Sequence, residues 1–151
     1  MRTVGLDLGE RRIGVAVSDS AGTLAVPHTT VARAGDPSDD HRAIAALVEE
    51  LGVERVVVGL PLSLDGTRGP AAQSIEAEAA VLGQSLRVPV ELFDERFTTV
   101  TANRSLASAG MRSRERRHRV DEVAATVLLQ TWLDGQAAKA AVLRGPRSES
   151  T

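Results

Sequence analysis

Val4-Gly5-Leu6-Asp7-Leu8-Gly9-Glu10-Arg11-Arg12-Ile13-Gly14-Val15-Ala16-Val17-Ser18-Asp19 contains two alternating runs, Val4/Leu6/Leu8 and Ile13/Val15/Val17, separated by the polar tip Gly9-Glu10-Arg11-Arg12. That pattern predicts two half-buried antiparallel strands joined by a glycine-containing turn. Asp7 is the anomaly. It shares its face of the first strand with Gly5 and Gly9, so the groups beside it have no side chains to fill space. A carboxylate between glycines can admit a metal ion or a phosphate close to the backbone. Asp is disfavoured in mid-strand, yet an exposed-face Asp next to a turn is the plainer alternative, and this stretch leaves both open.

The chain has 151 residues, 42% of them hydrophobic, which suits one domain large enough to bury a core without covalent or metal staples. It contains no Cys, which excludes a disulfide, a thiol nucleophile and a Cys-ligated zinc site. No run approaches the ~18 apolar residues of a membrane span, and no signal-peptide pattern opens the chain. A soluble cytoplasmic protein is the expectation. The net charge of -2 hides an uneven distribution, since five Arg fall within Arg112-Ser113-Arg114-Glu115-Arg116-Arg117-His118-Arg119. That run is a candidate phosphate-binding segment or a solvated loop. The aromatic residues are only Phe93, Phe97 and Trp132, too few for a platform that stacks unpaired bases.

Thr23 to Val31 reads as a third strand, with Pro27 placing it at an edge or bulge. Asp36-Pro37-Ser38-Asp39-Asp40 resembles a helix start, followed by Ile44, Leu47, Val48 and Leu51 at helical spacing and closed by Gly52. Val56-Val57-Val58-Gly59-Leu60 has the continuous apolar pattern of a buried parallel strand. The loop from Pro61 to Pro70 lies at its carboxyl end, where open α/β sheets hold ligands. Ala72, Ile75, Ala79, Leu82 and Leu86 mark a second helix, and Val88 to Phe93 a fifth strand.

Asp94-Glu95 follows that strand directly. A pair of acids there suits a helix entrance, which Thr99 could cap; equally, a strand-end acid could meet Asp7 across the carboxyl edge of the sheet. The last helix is expected to start near Val120, apolar over most of its circumference through Val123, Val127, Leu128, Leu129, Trp132 and Leu133. Asp121 continues the row of Ala125, Leu128 and Trp132. The dipole of a helix N-terminus would by itself favour Asp121 and Glu122, although an Asp on a core-facing row is harder to dismiss. Residues 1–143 are expected to form one domain and residues 144–151 a disordered tail.

Asp7-Leu8-Gly9 with Arg11 to Asp19, Gly59-Leu60-Pro61 with Gly66, Asp94-Glu95-Arg96 with Thr98-Thr99, and Val120-Asp121 with Ala124-Ala125 together resemble the YqgF/RuvX family over nearly all of the chain up to about Leu133. The resemblance implies a ribonuclease-H-like α/β fold: a five-stranded mixed sheet, its first three strands antiparallel, flanked by helices. It implies a relation to Holliday-junction resolvases and a role in nucleolytic maturation of the 5′ end of pre-16S ribosomal RNA. Carried over by motif, the catalytic and metal-binding acids are Asp7, Glu95 and Asp121, with Asp94 in reserve because the doublet leaves one residue of ambiguity. Glu78 departs from the family pattern, standing where a Phe is expected.

Hydrolysis of a phosphodiester needs an activated water and stabilisation of charge on the attacking and leaving oxygens. Two divalent ions held by carboxylates supply both, and Mg²⁺ or Mn²⁺ would suit such oxygen ligands. Arg11, Arg12, Arg68, Arg96, Arg114, Arg116 and Arg117 are candidate substrate-binding groups, as bidentate phosphate donors. The expected partner is nucleic acid, RNA ahead of branched DNA, with no membrane and with a homodimer left open. A branched-DNA resolvase and a non-catalytic nucleic-acid-binding module are the alternatives. Actin-like and sugar-kinase ATPases share the Asp-x-Gly hairpin but need a second lobe, for which this chain has no residues.

Overall fold

The strand carrying Asp7 forms the middle of the sheet. The computed structural model describes residues 1–97 and 114–144. Its strands are β1 (Thr3–Leu8), β2 (Arg12–Ser18), β3 (Ala25–Ala32), β4 (Arg55–Leu60) and β5 (Val90–Asp94). They lie in the order β3-β2-β1-β4-β5. The first three are antiparallel, and β4 runs parallel to both β1 and β5. Helix α1 (Pro37–Leu51) joins β3 to β4, α2 (Pro70–Ser85) joins β4 to β5, and α3 (Arg114–Arg144) is the last described element. The five-stranded mixed sheet implied by the family resemblance is therefore present.

Each helix boundary has a local cause. The Asp36 side chain accepts the Ser38 N–H at 2.9 Å and Pro37 occupies the first turn, while Gly52 ends α1 with a left-handed φ of 62°. Pro70 likewise occupies the first turn of α2, which has no side-chain cap. Pro27 falls where the β2–β3 register shifts between Val15 and Ala16, on an edge strand that can spare its N–H.

The expectation of a half-buried β1 is corrected by the structure, since all six of its residues are buried. On one face Val4, Leu6 and Leu8 pack with Ile13, Val15, Val56 and Val58 against Ile44 and Val48 of α1 and Leu82 of α2. Full burial of each such side chain contributes about 1.5–3 kcal/mol. The other face carries Gly5, Ala16 and Val57, and α3 lies on it through Ala125, Leu129 and Trp132. The small residues let the helix come close: a Cβ on Gly5 would stand 2.8 Å from the Leu129 Cβ. At Gly5, then, the space that the sequence leaves is filled by the protein itself.

Helix α3 begins at Arg114, not near Val120. Apolar periodicity starts at Val120, but Arg and Glu are good helix formers and extend the helix two turns towards the N-terminus. Its apolar coverage is also narrower than expected, since Val123 is half exposed. Arg144 belongs to the helix rather than to a tail; residues 145–151, Thr99 and the Thr98-Thr99 motif lie outside the described residues.

Candidate active site

Asp7 is 5% exposed, so the reading of an exposed-face acid fails. Its partner across β2 is Gly14. On the β4 side Leu6 pairs with Val58, which puts Gly59 next to Asp7 one residue further on. Asp7 thus stands between two glycines in the plane of the sheet, on the face covered by α3. Each glycine is roofed by another acidic residue. A Cβ on Gly14 would collide with the backbone carbonyl of Asp121, and one on Gly59 would stand 2.5 Å from the Glu95 Oε1. Glycine is required at Gly14 because helix backbone occupies the volume of a side chain, whereas at Gly59 a Cβ would displace the end of the Glu95 side chain.

Strand alternation separates the acidic doublet. In β5, Glu91 and Phe93 face α3, where Glu91 accepts the Trp132 indole N–H at 3.2 Å and Phe93 joins the Ala124–Leu128 cluster. Period 2 then turns Asp94 to the opposite face. Glu95, the first residue of a short 3₁₀ turn (Glu95–Phe97), returns to the face of Asp7 and is 4% exposed. Asp94 is engaged by Arg96, whose Nε and Nη2 donate to it at 2.9 and 2.7 Å and whose backbone N–H donates at 2.9 Å. These bonds hold its carboxyl below the usual carboxylate value against a smaller opposing effect of burial. Glu95→Gln is therefore expected to reduce turnover at least about tenfold more than Asp94→Asn, a difference of roughly 1.4 kcal/mol in barrier. Equal losses in the two variants, measured as kcat on one substrate, would return Asp94 to candidacy.

Asp121 lies about two turns inside α3. The helix dipole acts within the first turn, so it does not account for acids at 121 and 122. Ala125, Leu128 and Trp132 on its row are all buried. Its Oδ2 is 3.7 Å from Arg12 Nη1, and the neighbouring Glu122 accepts from the Thr30 hydroxyl at 3.1 Å. Because Thr30 pairs with Gly14, β2 and β3 together support this part of the helix.

The expected substrate-binding arginines are distributed unevenly. Arg12 stands beside Asp121, while Arg11 is exposed at the β1–β2 turn. Arg68 donates to Glu76 at 2.6 Å. Arg96 joins Asp94 to the loop after β4, with its Nη1 donating to the Leu64 carbonyl at 3.4 Å. Arg112 lies outside the described residues, and Arg114, Arg116 and Arg117 fall in the first turn of α3 with side chains outside them. The sequence of 112–119 suits a solvated loop or a phosphate-binding segment; its described part is helical.

Three carboxylates on β1, the β5 exit and α3, close to one sheet edge, have the donor chemistry of a divalent cation site. The glycines beside Asp7 keep any Cβ out of that space. Among the described residues, however, no three His, Asp or Glu side chains form a group that could hold a metal ion, so these carboxylates would have to turn towards one another to share one. Gly14 carries the site and was not singled out from the sequence. Its signal was present in its position opposite Asp7 in the hairpin, but only the helix backbone explains it.

The family model described as RuvX, Holliday junction resolvase, matches residues 1–135. The chain is 46% identical over 131 residues to a Chloroflexus aurantiacus protein named "Putative pre-16S rRNA nuclease", covering 87% of this chain and 85% of that one. It is 49% identical over 134 residues to a protein of the same name from Myxococcus xanthus, covering 89% and 88%. Among solved structures, Thermus thermophilus RuvC in complex with a Holliday junction substrate superposes with a TM-score of 0.58 at 14% identity, covering 91% of this chain and 96% of that one. At that identity the likeness concerns the fold, which is ribonuclease-H-like.

Proposed function

The chain belongs to the RuvX family, and from that premise we propose that it is a metal-dependent nuclease that hydrolyses phosphodiester bonds in maturation of the 5′ end of pre-16S ribosomal RNA. One observation carries the reading: a buried Asp7 in the central strand, flanked by Gly14 and Gly59, with Asp121 and Glu95 over them. A nucleic-acid-binding module would need basic surface but no buried carboxylate with acidic residues packed on the glycines beside it.

Asp7, Glu95 and Asp121 would hold Mg²⁺ or Mn²⁺. Such ions, when bound, lower the pKa of a water and neutralise charge on the leaving oxygen. The rest falls to the chain's own groups. Arg12, beside Asp121, is placed to donate to a phosphate oxygen flanking the scissile bond. Arg96 stiffens the loop after β4 through Leu64, so this rim of the site keeps its shape as the strand docks. The α3 face packed on Gly5 and Val57 excludes water from beneath Asp7.

The test is a panel of single-stranded RNA, precursor ribosomal RNA, duplex DNA and four-way DNA junctions, each offered to the protein with Mn²⁺ and with Asp7→Asn as control. RNA cleavage is expected to dominate. Preferential, symmetric cutting of four-way junctions would overturn the RNA assignment in favour of a resolvase.

The helical start of α3 gives a second expectation. Arg114, Arg116 and Arg117 precede Asp121 in the sequence of the same helix. Replacing all three with Ala should flatten the dependence of log K on log salt by roughly 0.7 per lost contact on single strands. The loss should be nearly uniform across sequences, since guanidinium–phosphate bonds position a strand without reading bases. Binding by Asp7→Asn protein, with and without the triple change, measures the slope; an unchanged slope and affinity would transfer this role to Arg11, Arg12, Arg68 and Arg96.

A further inference from the structure

The turn that follows Asp7 is held from outside the site. Gly9 donates its N–H to the Asp7 carbonyl at 3.0 Å, and its own carbonyl accepts from Arg33 Nε at 3.1 Å and Nη2 at 2.9 Å. The Arg33 backbone N–H donates to the Arg11 carbonyl at 2.9 Å, so one residue grips the turn at both ends. The turn is also tight, since a Cβ on Gly9 would stand 2.5 Å from the Arg12 carbonyl oxygen.

Arg33 is itself anchored on the sheet's other face. Its Nη1 and Nη2 donate to Glu78 of α2 at 2.5 and 2.9 Å, and Nη1 donates to Asp40 of α1 at 3.3 Å. Asp40 is 3% exposed and accepts the Ala34 N–H at 2.8 Å, while buried His41 lies 3.0 Å from Glu78 through Nε2. Glu78 is the residue that stands where the family resemblance leads one to expect Phe. An apolar side chain would fill that place without desolvating charges, and buried ion clusters are weak stabilisers compared with apolar packing. The cluster gives something apolar packing cannot: it orients a guanidinium.

We propose that Arg33, aimed by Glu78 and Asp40, is a positioning residue for the nuclease site, clamping the β1–β2 turn so that Asp7 and Arg12 keep their orientation. The consequence for turnover rests on the nuclease reading; the clamp itself does not. Glu78 holds its carboxyl below the ordinary value, chiefly through the hydrogen bond from Arg33, with burial opposing and His41 adding to it. Arg33 and Glu78 are thus ionised together around neutral pH, and all of the guanidinium's edges are occupied.

Arg33→Lys is the decisive variant. A lysine keeps the positive charge among Asp40 and Glu78, but a single ammonium cannot also reproduce the fork on the Gly9 carbonyl. Amide hydrogen exchange of Gly9, read without substrate, should accelerate at least about tenfold, and kcat should fall about 10- to 100-fold with KM within about threefold. Arg33→Met combined with Glu78→Met and Asp40→Asn removes the charges together, leaves an apolar contact and keeps an acceptor for the Ala34 N–H. It should keep the melting temperature and still show both effects. Wild-type exchange at Gly9 in either variant overturns the clamp, and fast exchange with unchanged kcat overturns its role in turnover. Should the unaltered protein cut nothing, the nuclease reading fails while exchange still decides the clamp.

Discussion

Asp7→Asn is expected to lose roughly three orders of magnitude or more in turnover, about 4 kcal/mol in barrier, while remaining folded. Asn matches Asp in shape, so the packing of a residue that is 5% exposed is kept. What disappears is the negative charge in a site where the Glu95 side chain lies over the adjacent Gly59. Removing one of several like charges relieves repulsion when no cation is bound, so the variant should be neutral or mildly stabilised without metal. Added Mn²⁺ should raise the melting temperature of the unaltered protein more than that of the variant, because a ligand stabilises the state that binds it. The measurement pairs cleavage kinetics with melting curves at several Mn²⁺ concentrations. Undiminished turnover in Asp7→Asn, on any substrate the unaltered protein cuts, would remove Asp7 from the chemistry.

Much of this site is legible in the sequence because period-2 alternation is a strong signal. Asp7 between Gly5 and Gly9 announces a small-residue face, and the row of Asp121, Ala125, Leu128 and Trp132 announces a helix to cover it. Strand edges and helix caps follow from Pro27, Asp36 and Gly52 for local reasons that need no tertiary knowledge. The ambiguity between Asp94 and Glu95 is different in kind. It depends on which residue ends the β5 pleat, and a one-residue uncertainty in a strand end exchanges the two faces. The early start of α3 was hidden because charged residues carry helix propensity without apolar periodicity. Arg33 was hidden more deeply: its five side-chain hydrogen bonds reach Gly9, Asp40 and Glu78, residues from one turn and two helices that only the folded sheet brings together.

Gly14→Ala is expected to damage both stability and turnover, for one steric reason. The added Cβ would collide with the carbonyl oxygen and carbon of Asp121, which are main-chain atoms of a helix and cannot swing aside as a side chain does. Either α3 lifts from the sheet or β2 sinks away from it, and each movement opens the contact that Ala125 and Leu129 make with Gly5. Overpacking of this kind costs about 1–3 kcal/mol and sometimes more, which for a domain of this size lowers the melting temperature by roughly 2–4 °C per kcal/mol. The displaced atoms belong to a proposed catalytic acid, and a misplacement of about 1 Å can cost on the order of 100-fold in rate. Gly135→Ala on the same helix is the control. Nothing lies within 4 Å of a Cβ there, and the position is exposed, so Ala should stabilise by about 0.5–1 kcal/mol and leave turnover alone. A Gly14→Ala protein that melts and cleaves like the unaltered one would mean that α3 does not rest on β2 as described, and with it Asp121 would lose its place over Gly14, the residue paired with Asp7.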